Sequence, residues 1–280
     1  MNPSNTSEVL PGGRALELLF DSQKLDSLSV PVALSDSYGG PLRLAKKSVF
    51  ANFVASLDGV VALPGDTESG QIISGRNPAD RFVMGLLRAA ADAILLGAGT
   101  FRKSGRHLWL PSRIYPAGDA AFTAMRARLG LSERPQFVLV SASGSIDVSE
   151  PAVDGAWICT TPKGEARLRA QLPESARLIV QDAEEISFVD LLKTLEAAGF
   201  ARILTEGGPS LFSQLVRQNL LDQLFLTSSP ALFGRFSDDQ RKSLADGLDL
   251  AGAPLELASA RRHGSHLFLS YIVNKAAEAR

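Results

Sequence analysis

Apolar residues recur along this chain in two rhythms, and their alternation predicts its architecture. Short apolar runs bounded by turn formers read as strands: "SVFANFVAS" from Ser48, then "DAILLGAGT", "QFVLVSASG", "AWICTT", "ARLIVQD", "ARILT" and "QLFLTSS". Between them lie segments with helical spacing. "NPADRFVMGLLRAAA" places Phe82, Val83, Leu86, Leu87 and Ala90 on one face, with Asn77 as N-cap and Pro78 as the first helical residue. "SFVDLLKTLEAAGF" aligns Phe188, Leu191, Leu192 and Leu195 and ends at Gly199, and "PSLFSQLVRQNLL" is a further helix. "VVAL", after the turn signal Asp58-Gly59, predicts a strand returning on the first as a hairpin. Residues 104–134 form a long excursion with a helix across "DAAFTAMRARL", and excursions of that length are functional or mobile. The chain closes on an antiparallel hairpin, "LELASARRHGSHLFLSYIV". Together these elements predict an α/β fold: a mixed, mainly parallel sheet flanked by helices, with right-handed crossovers and an antiparallel C-terminal hairpin. Residues 1–45, rich in Ser, Pro and Gly, read as an N-terminal extension, and residues 46–280 as the main domain.

Composition narrows the class. With 280 residues, 45% hydrophobic and 21% charged, the chain has the make-up of a soluble globular protein. A net charge of -1 offers no electrostatic footprint for nucleic acid or an anionic membrane. No run of about 18 apolar residues occurs, so no spanning helix is expected. The single cysteine, Cys159, excludes an internal disulfide, and with no signal-peptide pattern at the start it points to the cytoplasm.

Candidate chemistry concentrates where rhythms change. In "ARILTEGGPSLFSQLV" a strand ends on Glu206, Gly207, Gly208 and Pro209 before a helix begins. Ligands bind at that edge of open α/β sheets, and a helix N-terminus offers free N–H groups to phosphate. The glycines let backbone approach a ligand, and Glu206 is placed to accept from a hydroxyl or amine. A Gly-Gly turn beside a solvated Glu is the plainer alternative. "ILLGAGTF" has the same logic: Gly97, Gly99 and Thr100 suit a dinucleotide cradle, although Arg102 stands where a complete G-x-G-x-x-G has glycine. Arg102, Lys103 and Arg106 are either receptors for an adenosine 2′-phosphate or a solvated basic loop. His263 and His266 lack a carboxylate cluster, so no metal site is expected, and His107 is a surface or pocket residue. "GPSLF" is not a G-x-S-x-G elbow, which argues against serine-hydrolase chemistry.

Three motifs in order, "NFVASLDGVVA", "DRFVMGLLRAAADAILLGAGTFR" and "RILTEGGPSLFSQLVRQNLLDQLFLTSSPALFG", resemble the C-terminal reductase domain of bifunctional riboflavin-biosynthesis proteins and the stand-alone pyrimidine reductases, over roughly residues 46–275. The resemblance implies a dihydrofolate-reductase-like fold, a homodimer, and NADPH-dependent reduction of a ribosylamino-pyrimidine phosphate to its ribityl form. It also implies site residues. Val54, Gly97, Gly99, Thr100, Gly207, Gly208, Pro209, Ser210 and Leu211 would bind the cofactor. Ser56, Arg88 and Glu206 would face the substrate, with Glu206 and Asp58 as catalytic candidates; Asp58 is equally what a tight hairpin demands. Departures cluster on the substrate side: Asn52 replaces a lysine, Ile72 stands where a tryptophan is usual, and Lys103-Ser104-Gly105-Arg106 replaces an acidic pair with proline. Reduction of a dihydropterin or dihydrofolate on the same scaffold therefore stays open, as does NADPH binding without turnover. A single cysteine cannot supply a deaminase zinc site.

Overall fold

The computed structural model describes residues 10, 14–65, 68–104, 107–235 and 240–275. Strand β1 (Glu17–Asp21) and helix α1 (Val32–Tyr38) precede β2 (Ser48–Ser56) and β3 (Val60–Ala62). Next come α2 (Ser69–Ile73), α3 (Pro78–Ala90), β4 (Ala93–Gly97) and α4 (Ala98–Ser104). The middle of the chain holds α5 (Pro111–Ile114), α6 (Asp119–Arg128), β5 (Gln136–Val140), β6 (Trp157–Thr160), α7 (Pro162–Leu168) and β7 (Arg177–Val180). After α8 (Phe188–Ala197), β8 (Arg202–Thr205), α9 (Pro209–Arg217) and β9 (Gln223–Ser229), the chain ends on β10 (Lys242–Ser243), β11 (Leu255–His263) and β12 (His266–Val273).

Ten of these strands form one sheet in the order β1-β11-β12-β9-β2-β8-β4-β5-β6-β7. The run from β9 to β7 is parallel, because helices return the chain to the same edge; β9, β12, β11 and β1 pair antiparallel. This is the mixed, mainly parallel sheet that the sequence predicts. Alternation along β4 builds two cores. Ile94 and Leu96 join Phe50, Phe82, Leu86, Leu87 and Phe122 on one face, while Ala93 and Leu95 join Leu191, Leu195, Leu211 and Leu215 on the other. The predicted cap holds: Asn77 Oδ1 accepts from the Ala79 amide at 2.8 Å. Among the described residues, no helix is long and apolar enough to cross a membrane.

Four expectations change in detail. Strand β3 does not return on β2; it pairs with β10 in a separate two-stranded sheet, and the Val60 amide donates instead to Ser56 Oγ at 2.9 Å. The strand expected over "DAILLGAGT" stops at Gly97, and α4 begins at Ala98 directly after it. The stretch before residue 46 contributes β1 to the sheet edge and Leu16, Leu34, Tyr38, Leu42 and Leu44 to the core. The 104–134 excursion is packed rather than loose: Trp109, Tyr115, Phe122 and Met125 are buried, and Phe122 stacks on Phe82 at 6.4 Å. Arg106 lies outside the described residues.

Arg126 of α6 explains part of that packing. Its guanidinium donates to the carbonyls of Arg88, Ala89 and Ala91 at 3.3, 3.2 and 2.7 Å, and its Nε to Ser132 O at 2.7 Å. A cation thus closes the C-terminus of α3, where carbonyls lack intrahelical partners and the dipole is negative. Burial pushes the Arg126 pKa down to about 10, which leaves it charged at neutral pH. Arg126→Met should lower the unfolding free energy by about 2 kcal/mol through orphaned carbonyls. Urea denaturation checks this, and an unchanged midpoint would mean that α3 ends without needing the cap.

Candidate active site

The carboxyl ends of the neighbouring strands β4 and β8 open into a cavity of about 1060 Å³. That is the upper range for a small-molecule site and room enough for two ligands side by side. One part is walled by Val54, Gly97, Gly99, Thr100, Gly208, Pro209, Ser210 and Leu211, where β4 runs into α4 and β8 turns into α9. Arg76, Arg81 and Arg113 line the cavity as well, with Met84 and Ile114. Arg88 and Glu206 also line the cavity.

Arg88 and Glu206, distant in sequence, meet as one unit. Arg88 Nε lies 3.0 Å from each Glu206 oxygen, and a terminal nitrogen lies 2.5 Å from Oε2. Both side chains are buried, at 6% and 7% exposure. The pair ties the last turn of α3 to the residue following β8. A forked guanidinium–carboxylate contact of this kind is directional as well as strong. Glu206 is therefore paired to Arg88 rather than free to meet a ligand with both oxygens.

The two glycines after Glu206 have different reasons. A Cβ on Gly207 would lie 2.7 Å from Leu211 Cδ2, 3.0 Å from the Gly97 nitrogen and 3.2 Å from Leu96 Cα, so this glycine serves the close packing of β4 on the turn. It does not line the cavity. The Gly208 amide donates to Thr100 Oγ1 at 2.7 Å, fastening the start of α9 to α4. Gly99 is the opposite case: an added Cβ meets nothing within 4 Å, and the residue faces the cavity.

Ser56 and Asp58 are not brought to the cavity. The Asp58 carboxylate accepts from Ser56 Oγ at 2.5 Å and from the amides of Phe233 and Gly234, at 3.2 and 2.6 Å for the nearer contacts. It ties the β2–β3 turn to the loop after β9. The Ser56 hydroxyl, followed by those two amides, holds its carboxyl below the ordinary carboxylate value. Asn52 and Val54 of β2 do line the cavity, whereas Ile72 is exposed away from it. Arg102 and Lys103 reach the cavity rim, with Arg102 donating to Ser145 O at 3.2 Å. His107 pairs with Glu68 at 3.3 Å on the same rim. His266 is engaged elsewhere, with Nδ1 2.8 Å from Asn77 Nδ2 and Nε2 3.0 Å from Ser74 O.

Asp80 is the site residue that the sequence reading missed. It stands in the first turn of α3, lines the cavity, and is 4% exposed. The hydroxyls of Thr227 and Ser74 hydrogen-bond to it, and among the described residues no Lys or Arg side chain forms an ion pair with it. Burial pushes its pKa up to about 6, with the Glu206 charge acting in the same direction. An acidic residue in a helix's first turn normally reads as a dipole partner on the surface, which is why the sequence hides it.

A profile for the RibD C-terminal domain matches residues 47–269. The chain belongs to that family. A relative from Archaeoglobus fulgidus, named 2,5-diamino-6-ribosylamino-4(3H)-pyrimidinone 5′-phosphate reductase, is 27% identical over 192 residues, or 66% of this chain and 81% of that protein. Among solved structures, a pyrimidine reductase-like protein from Corynebacterium diphtheriae shares the family fold at TM-score 0.65 and 22% identity, covering 89% of this chain and 96% of its own. A diaminohydroxyphosphoribosylaminopyrimidine deaminase/5-amino-6-(5-phosphoribosylamino)uracil reductase from Thermotoga maritima aligns at TM-score 0.58 and 20% identity, over 82% of this chain and 57% of that longer one.

Two stability measurements test these assignments. Glu206→Ala should destabilise the protein by about 3 kcal/mol, since it leaves a buried guanidinium uncompensated, and Arg88→Met combined with it should cost less than the sum of the two. Additive losses in denaturation would show that the two side chains act separately. Asp80→Asn should have the opposite sign. The folded-state pKa of Asp80 is raised to about 6 from 3.8, so ionisation opposes folding as pH rises through that window and the penalty is constant above it. The variant should therefore gain stability over the parent at pH 8, by up to about 3 kcal/mol, and gain nothing at pH 4. Equal gains at both pH values would remove the buried-carboxyl explanation.

Proposed function

We propose that this protein is an NADPH-dependent reductase of a ribosylamino-pyrimidine phosphate, acting in the manner of the riboflavin pathway as a homodimer. The observation that carries the reading is a single cavity lined both by the α4–α9 cradle and by the guanidinium groups of Arg76, Arg81 and Arg113. The open space over Gly99, the Thr100–Gly208 fastening and the start of α9 fit the phosphate-bearing part of a dinucleotide. Gly97, Gly99, Thr100, Gly208, Pro209, Ser210 and Leu211 would hold it there, with Val54 beside its ring and Gly207 setting the shape of the turn. Arg102 and Lys103 at the rim suit a 2′-phosphate, which favours NADPH over NADH. When bound, that cofactor supplies the hydride.

The protein's share is orientation and charge. Arg76, Arg81 and Arg113 on the cavity wall offer positive charge to the substrate's phosphate. The Arg88–Glu206 pair keeps a fixed dipole beside the sugar without reorganising during the reaction, and any guanidinium N–H left free of Glu206 is available to a ribose hydroxyl. Ser56 and Asp58 act one step removed, by fixing the turn that follows the cavity-lining part of β2. Of the departures Asn52 and Ile72 from the family pattern, Asn52 lines the cavity and Ile72 does not, so Asn52 is the one of the two placed to influence substrate choice.

Loss of NADPH absorbance on adding a ribosylamino-pyrimidine phosphate is the direct test, with dihydrofolate in a parallel cell. Turnover of the pyrimidine is expected; turnover of dihydrofolate alone would overturn the substrate assignment. Gly99→Val should raise the KM for NADPH by about tenfold or more while leaving the thermal midpoint within a degree or two, because its side chain enters space that no protein atom uses. Arg102→Ala should weaken NADPH and leave NADH unaffected. Equal effects on both would detach Arg102 from the 2′-phosphate.

A further inference from the structure

Of the lysines and arginines on the cavity wall among the described residues, Lys242 is the one that the reductase reading leaves without a role. It comes from β10, which pairs with β3 so that Lys242 stands opposite Ala62, another wall residue. Its ammonium lies 2.7 Å from Asp246 Oδ2. The Asp246 amide donates to Ser213 Oγ at 3.0 Å, and that hydroxyl donates to Pro209 O at 2.9 Å. The lysine is thus hung on the first turn of α9, whose Pro209, Ser210 and Leu211 share the cavity wall with it. We propose that Lys242 binds the pyrophosphate of the dinucleotide, with Asp246 and the Asp58 clasp as the residues that position it. The inference rests on the cofactor part of the reductase reading.

Charge is what the cradle otherwise lacks. A pyrophosphate linkage carries two negative charges, while Gly99, Thr100 and the start of α9 offer it open space, a hydroxyl and N–H dipoles. Arg102 and Lys103 are assigned to the 2′-phosphate, and Arg76, Arg81 and Arg113 to the substrate. An ammonium has three N–H donors, so Lys242 can keep one on Asp246 and turn two to phosphate oxygens. The lysine side chain is 45% exposed, so its bond to Asp246 is weak enough to share. In the empty site Asp246 balances the ammonium. Beside a bound phosphate it is a like charge, which lowers the affinity for the anion.

The same lysine gives the Ser56–Asp58 clasp a use at the cavity. The Phe233 and Gly234 amides donate to the Asp58 carboxylate, and the carbonyls of these two residues accept from Arg241 Nη1 at 3.0 and 2.7 Å. One short stretch of backbone is therefore held from both sides, by the β2–β3 turn and by the residue next to Lys242. Arg241 leads directly into β10, and the pairing of β10 with β3 closes the circuit. Asp58 does not reach the ligand; it fixes the backbone from which Lys242 projects.

Calorimetric titration of the full chain with NADPH, NADH and adenosine 2′-phosphate tests the proposal without turnover. Lys242→Met should weaken NADPH and NADH by one common factor of about five or more, leave adenosine 2′-phosphate unaffected, and flatten the salt dependence of NADPH binding. Lys242→Arg should restore most of the affinity. Asp246→Asn should tighten NADPH about twofold or more, whereas a bridge that merely held the loop would make both variants bind more weakly. Asp58→Asn should weaken NADPH in the parent and add nothing in the Lys242→Met background; a further loss there would overturn its positioning role. Unchanged affinity in a folded Lys242→Met, a loss confined to NADPH, or weaker binding by Asp246→Asn would overturn the assignment of Lys242 and leave the reductase reading standing. Failure of the parent to bind either dinucleotide would overturn both. Binding that depends on Lys242, with no oxidation of NADPH by the pyrimidine, would uphold the lysine and remove the substrate assignment alone.

Discussion

The buried contact between Arg88 and Glu206 is the constraint on which the site depends. Each residue alone would be an isolated charge in a low-dielectric wall, a state that folding cannot tolerate. Together they require the end of α3 and the turn after β8 to lie at one separation and one angle. The Gly207 packing on β4 and the Gly208–Thr100 bond then follow from the same placement. Arg126 extends the constraint outward, since it accepts its position from the carbonyl of Arg88 itself. The excursion containing α6 is thereby tied to the cavity although it contributes few of its walls.

Much of the fold was legible because the two hydrophobic periodicities were strong and long. The strands of the parallel region and helices α3, α8 and α9 sit where the rhythm placed them, and the Asn77 cap and the Gly199 stop were local signals with local causes. What escaped were features decided at a distance. The residues of β3 carry a strand pattern, but its partner is β10, about 180 residues further along the chain. The short helices α2 and α7 have too few turns to show a period. The edge position of β1 depends on β11, which no reading of residues 17–21 alone reveals.

The site divides in the same way. Gly97, Gly99, Thr100 and the Glu206–Leu211 stretch were found from motifs whose members are contiguous, and all but Gly207 line the cavity. Ser56 and Asp58 were drawn in by motif and turn out to be a clasp between two loops, the role that an Asp-Gly turn also allows. Asp80 was missed because nothing in its neighbours announces burial; its environment comes from β9 and from the end of α2. Two buried carboxyl groups, Glu206 and Asp80, therefore line one cavity in unlike settings, one paired with an arginine and one left to hydroxyls.

The hydrogen bonds of His266 carry this contrast beyond the cavity. Asn77 Oδ1 already accepts from Ala79, so its amide nitrogen must donate to His266 Nδ1, and the proton on Nε2 must point to Ser74 O. The ring is thus confined to one neutral tautomer, and burial holds its pKa below 6.5. Taking up a proton would set two donors face to face at the cap of α3 and loosen it as pH falls. Asp80, one turn inside the same helix, relaxes in that direction by becoming neutral. The opening of α3 thus carries a base whose protonation burial opposes and an acid whose ionisation burial opposes, both held at one helix end.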